Sequence, residues 1–409
     1  MGVLRPGVTS LGRVTARHLL ALDAPVGATA VADLIPTLRA ALDGSGPPLM
    51  LLPAGPPSLR QALVDAASDG LPTEPDDIAM VVPTSGSTGP PRLALLTRAA
   101  LAASAAATAE RLGGAGSYLL ALPTTSVAGV MVLVRSVLAG HDVDVVDQSE
   151  GFTPEAFSRA VTVMLDRRDG CARRSALVPT QLARLLDAGE EATAALRALD
   201  TVLLGGSAAP VGLLERAREA GVNVITTYGM TETCGGCVYD GRPLPATEVA
   251  LDASGRIRLR GPTLFAGYLG RADLSAQSLV DGWFCTDDLG QLAGDGRLLI
   301  IGRADDVIVS GGVNVSPAQV ETALATHPGV AEAVVVPRPD AEWGQVVVAV
   351  VEVEGAAPPD LAGLRAHLRD HLPPAAMPRA LVVVDTLPRL PSGKPDRDAV
   401  RTLVAAART

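Results

Sequence analysis

One local pattern repeats across the first three quarters of the chain. A short apolar run is followed by a loop of glycine and hydroxyl residues, then by an alanine-, leucine- and arginine-rich stretch of helical character. Residues 78–82 read as a buried strand, and 93–96 as a second short run. Thr97 then caps a helix over 99–112, which Gly113-Gly114 ends. The same order recurs with 175–178 before Pro179-Thr180-Gln181-Leu182, with 201–204 before Gly205-Gly206-Ser207, and with 222–226 before Tyr228-Gly229. Strands that alternate with helices imply an α/β architecture with largely parallel sheets. In such sheets ligands bind in loops past the carboxyl ends of the strands. Three of these loops are rich in Gly, Ser and Thr and form the candidate site.

From Val249 the pattern shifts to short alternating runs and tight turns, VALDASGRIRLRGPTLFAGYLG, which predicts antiparallel β structure. Beyond Gly302-Arg303 it shifts again: 317–326 and 360–371 read as helices, 331–336 and 346–353 as strands. The expectation is a core of residues 1–302, with mostly parallel sheets, flanking helices and a small β-rich subdomain. A small α+β unit of residues 303–409 follows, with the boundary at GRADD, 302–306. A 409-residue chain exceeds one ordinary core, and its 48% hydrophobic content with 2% aromatics supports a large aliphatic interior.

The net charge of −10 argues against a nucleic-acid partner. Four cysteines in so long a chain are no disulfide framework. Cys234-Gly-Gly-Cys237 has the spacing of half a zinc site or a redox pair, but no second Cys/His pair lies at useful spacing; packing of small residues is the expected role. Arginines run through the N-terminus, which is unlike a secretory signal. Residues 117–140, SYLLALPTTSVAGVMVLVRSVLAG, are long enough to cross a bilayer. Pro123, the hydroxyl cluster and Arg135 interrupt them, so a buried strand, a loop and a buried helix fit better. No membrane span and a cytoplasmic location are expected.

Five stretches carry chemistry. In VVPTSGSTGPPR, residues 81–92, glycines let the backbone approach a ligand, and successive N–H groups form an anion-binding nest. It is no GxxxxGK[ST] loop, and Pro90-Pro91 bars immediate helix entry. Alone it fits a phosphate cradle and a flexible hairpin equally. TTYGMTETCGG, 226–236, offers Tyr228 for stacking, Thr231 as a hydroxyl and Glu232 as a carboxylate for Mg²⁺. GWFCTDDLG, 282–290, offers Asp287 and Asp288, which suit a ribose diol or an exposed turn. GRADDVIVSGGVNVSPAQVE, 302–321, brings Arg303, the flexible Gly311-Gly312 and a helix start at Ser316-Pro317. LPRLPSGKPDR, 387–397, sets Lys394 in a loop.

In this order the five stretches resemble the adenylate-forming superfamily of acyl-CoA synthetases, nonribosomal-peptide adenylation domains and luciferases. The resemblance runs from about residue 78 to the C-terminus. ALPTTSVAGVMVLVRSVLAG, SALVPTQLARLL and YGMTETCGGCVYDGRPL look like the o-succinylbenzoate–CoA ligases of menaquinone biosynthesis. The resemblance implies a two-step reaction with ATP, Mg²⁺ and coenzyme A. A carboxylate attacks the α-phosphate, pyrophosphate leaves, and the CoA thiol then displaces AMP. It implies that Thr84, Ser85, Gly86, Ser87, Thr88 and Gly89, with Arg92, wrap the β- and γ-phosphates. Gly205, Gly206 and Ser207 border adenine and the acyl pocket. Tyr228 with Gly229 stacks on adenine, Thr231 binds the α-phosphate, and Glu232 holds Mg²⁺. Asp288 and Arg303 take the ribose, Asp305 is the hinge, Gly311 and Gly312 pass pantetheine, and Lys394 is the adenylation lysine. Thr125, Ser126, Gly129, Gly205 and Met230 line the acid pocket. Homodimers are common in the superfamily. Three departures stand out: Arg92 replaces a lysine, Asp287 replaces the glycine of a Thr-Gly-Asp motif, and Ser126 stands where these ligases usually carry histidine. The last leaves another aryl or short aliphatic acid as an alternative substrate.

Overall fold

The run at 78–82 forms a buried strand, Ile78–Thr84, because every side chain from Ile78 to Val82 is apolar and enclosed. It lies in a six-stranded sheet beside Leu49–Leu52 and Leu20–Asp23, which run parallel to it. Arg92–Thr97 pairs antiparallel on its other side, and the short Gly267–Tyr268 strand pairs antiparallel with that. The computed structural model describes residues 9–10, 18–55, 57–67, 71, 77–84, 92–167, 170–209, 211–353, 358–369, 372–389 and 395–407. The chain divides into two compact units. One is Met1–Gly206 with Ala217–Ala250 and Arg258–Cys285; the other is Ser207–Arg216 with Leu251–Ile257 and Thr286–Thr409.

The second sheet of the first unit has seven strands. Val143–Val145, Gly116–Leu120, Ala172–Leu177, Thr201–Leu204 and Val224–Met230 run parallel in that spatial order. Gly235–Tyr239 and Arg242–Pro243 complete it antiparallel. The sequence reading ends the fifth strand at 226. The ladder carries it on to Met230, because Gly235–Tyr239 folds back to pair with it across a bulge at Tyr228/Gly229. Tyr228, Gly229 and Met230 therefore sit on a strand and not in the loop beyond one.

Local chemistry explains the helices. The Thr97 hydroxyl accepts from Ala100 N (3.0 Å) and starts the Arg98–Arg111 helix. Residues 117–140 resolve into the buried strand Gly116–Leu120 and the helix Val127–Ala139, capped by Ser126 and ended by Gly140 in the left-handed region. That helix is buried from Gly129 through Val137, which is why its sequence is apolar on every side. Among the described residues no helix is long and apolar enough to cross a membrane.

Two arginines flank Tyr118, with guanidinium carbons 5.8 Å (Arg135) and 5.9 Å (Arg174) from its ring centroid. Arg174 donates to Gly114 O (2.8 Å) and Leu112 O (2.9 Å), the last carbonyls past the Arg98–Arg111 helix, where a cation also meets the negative end of the helix dipole. The same helix docks on Gly235–Tyr239: Ser104 Oγ donates to Cys234 O (2.8 Å), and Thr108 Oγ1 meets Tyr239 Oη at 3.1 Å. Cys234 and Cys237 are free thiols enclosed in this contact, and burial raises the pKa of both, Cys237 to about 12.

The second unit contains a five-stranded sheet centred on Gly344–Val353, which pairs antiparallel with Val330–Asp340 and parallel with Ala380–Val384. Its run Val346–Val351 is apolar at every position because both faces are covered. Val347, Ala349 and Val351 pack with Val320, Leu324, Leu364 and Leu368. Val346, Val348 and Val350 pack with Leu387, Val400 and Val404.

Two outcomes follow from this packing. Arg174→Met removes two hydrogen bonds from a buried guanidinium to part-buried carbonyls, and urea unfolding should show a loss of about 2 kcal/mol. Folding favours the neutral form of Cys237. That contribution is complete below its ordinary value of 9.0 and is lost as pH rises toward about 12. Native protein at pH 8 should therefore be alkylated by iodoacetamide at Cys171 and Cys285 and spared at Cys234 and Cys237, as peptide mass mapping would read.

Candidate active site

The expected phosphate loop leaves the Ile78–Thr84 strand and returns on Arg92–Thr97, with Thr84 and Arg92 opposite one another in the ladder. Ser85, Gly86, Ser87, Thr88 and Gly89 lie outside the described residues, as does Lys394. The Arg92 guanidinium carbon stands 6.0 Å from the Tyr268 ring centroid.

The TTYGMTETCGG stretch is a reversal between two strands. Gly229 faces Gly236 in the ladder, and a Cβ at Gly229 would lie 2.1 Å from Gly235 O, so only glycine lets the strands close there. Thr231, Glu232 and Thr233 form a single 3₁₀ turn. Thr233 Oγ1 accepts from Met230 N (2.9 Å) and shares its one proton between Gly235 O (2.7 Å) and Met230 O (3.1 Å), which closes the turn. Thr231 and Glu232 are buried, while Tyr228 and Met230 are half-buried. Glu232 is clamped at two points: its carbonyl accepts from Phe265 N (2.9 Å), and Oε1 accepts from Tyr268 Oη (2.8 Å). Burial and the Glu232 charge both push the Tyr268 phenol upward, so it stays a neutral donor. A hard carboxylate oxygen fits Mg²⁺. Among the described residues no group of three or more His, Cys, Asp or Glu is gathered for a metal.

The residues expected around the acid have clear local duties. Ser126 Oγ donates to Pro123 O (2.8 Å) and accepts from Gly129 N (3.2 Å), so its hydroxyl is engaged as a helix cap. Gly129 presses on the Pro123 carbonyl, and Thr125 is half-buried. Gly205 packs against the Thr227 hydroxyl, whereas Gly206 and Ser207 are exposed. The sequence reading treated Arg135 only as an interruption of an apolar run. Arg135 is 6% exposed. Its guanidinium donates to Tyr239 Oη at 3.4 Å, its Nε has no partner, and among the described residues it makes no ion pair. It also borders Gly235, next to the Thr231–Thr233 turn. A single charge inside a long apolar run was the available signal.

In the second unit Asp288 faces Arg303 across the ladder between Trp283–Leu292 and Leu298–Arg303. Arg303 NH1 is 3.7 Å from Asp288 Oδ1 and NH2 is 3.6 Å from Asp287 Oδ2. Arg303 also grips Asp305 with two hydrogen bonds of 2.8 Å. Burial favours a neutral Asp305, yet the Arg303 guanidinium outweighs it and holds the carboxyl below its usual range. Asp287, the departure from the usual glycine, adds Arg256 NH1 at 3.1 Å. Gly311 and Gly312, both at positive φ, are the two-residue turn between Ile308–Ser310 and Val313–Val315. Gly311 also seats against the Trp343 ring.

The AMP-binding enzyme family matches residues 38–269, and the AMP-binding enzyme C-terminal domain matches residues 319–394. The chain is 47% identical over 386 residues to the protein named "Probable 2-succinylbenzoate--CoA ligase" of Mycobacterium tuberculosis, covering 93% of this chain and 97% of that one. Among solved structures it is similar to o-succinylbenzoate CoA synthetase from Bacillus subtilis in complex with the acyl-adenylate intermediate OSB-AMP. The TM-score is 0.70 at 28% identity, covering 93% of this chain and 83% of that chain. The same synthetase in complex with ATP and magnesium ion gives a TM-score of 0.68 at 28% identity, covering 90% and 82%. With its strand–loop–helix core, its TTYGMTETCGG turn and these likenesses, the chain belongs to the AMP-binding enzyme family of adenylate-forming proteins.

Proposed function

We propose that this protein is an AMP-forming acid–CoA ligase that activates 2-succinylbenzoate with ATP and passes it to coenzyme A in menaquinone biosynthesis. The observation that carries the choice of acid is Arg135. A buried guanidinium with no counter-charge among the described residues costs several kcal/mol, which a bound anion offsets. 2-Succinylbenzoate has two carboxylates. One reacts, and the other supplies the charge that Arg135 lacks. The M. tuberculosis relative and the B. subtilis complex with OSB-AMP support the same acid.

The chemistry needs positioning and charge more than a protein nucleophile, because the acid itself attacks the α-phosphate. Thr84 through Gly89 and Arg92 are proposed to receive the β- and γ-phosphates, and Thr231 the α-phosphate. Glu232 would hold the Mg²⁺ that accompanies ATP and supplies positive charge to the phosphates. Tyr228 offers its ring to adenine, with Gly205, Gly206 and Ser207 beside it. Asp288 and Arg303 offer an acceptor and a donor to the ribose. Lys394, the only lysine in the chain, is proposed to donate to the oxygen bridging acid and α-phosphate as pyrophosphate leaves. Residues 303–409 are proposed to turn about Asp305, presenting Lys394 for the first step and the Gly311-Gly312 turn to the CoA thiol for the second. The proposed location is the cytoplasm. Ser126 supports a second reading, because its capping hydroxyl leaves no ring donor where related ligases have histidine. In that reading the acid is a different one.

Lys394→Ala should lower adenylation, followed by pyrophosphate exchange, by at least 10²–10³-fold while sparing CoA transfer from preformed acyl-adenylate. Equal loss in both half-reactions would remove Lys394 from its role. Arg135→Met should raise KM for 2-succinylbenzoate about 10²-fold, with KM for ATP unchanged. Exchange that responds to a monocarboxylate and ignores 2-succinylbenzoate would replace the proposed acid.

A further inference from the structure

We infer that Tyr268 is a positioning residue for the metal-binding carboxylate, holding Glu232 in one rotamer while leaving its negative charge intact. The inference rests on the proposed role of Glu232 and goes beyond it to a residue outside the TTYGMTETCGG stretch.

A glutamate side chain has three rotatable bonds, and ordering them costs entropy that a contact must offset. Glu232 is fixed from outside its own turn. The segment Phe265-Ala266-Gly267-Tyr268-Leu269 runs along the strand Arg92–Thr97 and forms the edge of that sheet, with Ala266 N on Leu95 O and Leu269 N on Leu93 O, both at 2.8 Å. From that edge Phe265 N takes the Glu232 carbonyl, and Tyr268 Oη takes its carboxylate. The ring is itself immobilised. Phe265 packs edge-on at 4.8 Å, Phe284 packs edge-on to Phe265 at 5.5 Å, and Tyr268 N donates to Ser275 Oγ at 2.8 Å.

The type of donor is the decisive point. An arginine or lysine at this distance would orient Glu232 equally well but would compete with a cation for its charge. A phenol orients the carboxylate through one hydrogen bond and leaves the formal charge for the metal. Arg92, 6.0 Å from the centroid on the same ring, stands at the returning end of the phosphate loop. One tyrosine therefore links the carboxylate to the strand on which that loop returns.

The test uses full-length protein and α,β-methylene-ATP, whose α–β bridge cannot be cleaved. Calorimetry with and without Mg²⁺ gives the gain in nucleotide affinity that the metal supplies. Tyr268→Phe keeps the ring and its packing. It should lose about 10–100-fold of that gain, with metal-free affinity unchanged. The Mg²⁺ concentration for half-maximal pyrophosphate exchange should rise in parallel. Glu232→Gln is measured beside it. If Glu232→Gln loses the gain and Tyr268→Phe keeps it, Tyr268 does not position the carboxylate. If both keep it, Glu232 is not the metal ligand, and the inference falls with that reading. A joint drop in metal-free affinity and melting temperature for Tyr268→Phe would also overturn it, assigning Tyr268 to packing alone.

Discussion

The near-contact of backbones at Gly229 and Gly235-Gly236 sets where the groups on the turn between those strands can be. A Cβ at Gly229 would fall 2.1 Å from one carbonyl, so any other residue would part the strands and open the turn between them. With the strands closed, Thr233 can satisfy Met230 N, Met230 O and Gly235 O through one hydroxyl. The turn then delivers Glu232 to the edge of the other sheet, where Phe265 and Tyr268 receive it. Buried polar groups need partners, and here the partners of Glu232 come from a second sheet, so its side chain and carbonyl tie the two sheets together.

Charge is the second constraint. The chain is acidic overall, and the proposed function requires it to bind triphosphate and carboxylate. The two arginines around Tyr118 illustrate how binding cations can be told from structural ones. Arg174 is enclosed and donates to two carbonyls at 2.8 and 2.9 Å, although its Nε, like that of Arg135, has no partner. Arg135 is similarly enclosed but has one long bond to a phenol and an Nε with no partner. A fold that retains the second against a penalty of several kcal/mol gains nothing from it unless an anion completes the set.

The sequence discloses elements whose cause is local. Thr97 and Ser316 cap helices where their spacing predicts. Residues 117–140 fold as strand, loop and helix because proline and hydroxyl residues break the apolar run at the point where the helix must be capped. Features caused by partners distant in sequence were not legible. Nothing local to Tyr268 points to Glu232, 36 residues away. Nothing local to Arg135 shows that its neighbours are phenols and not carboxylates. The strand end at Met230 was missed because a returning strand, not the residues of 222–226, extends the ladder. Gly311-Gly312 was visible as flexible backbone, but the two causes, a hairpin turn and the Trp343 ring, emerge only in three dimensions.

The proposed hinge shows how adjacent residues can divide a mechanical task. Asp305 is gripped by Arg303 on the ladder that carries Asp288. Asp306, the next residue, faces the other way, to Arg401 NH2 at 3.1 Å and Arg397 Nε at 3.9 Å on the Arg397–Ala406 helix. Arg397 also binds Glu321 through two oxygens at 2.7 and 2.8 Å, tying that helix to Pro317–Leu324. Rotation between Asp305 and Asp306 would leave both sets of ion pairs unbroken, since no pair has to span the bond that turns. Arg397 lies three residues beyond Lys394, so a rotation that carries Asp306 also carries the anchored base of the segment bearing the proposed adenylation lysine. The proposed pivot would spare these ion pairs, while the hydrogen bond from Ser316 Oγ to Ile301 O (2.6 Å), which spans it, would have to part.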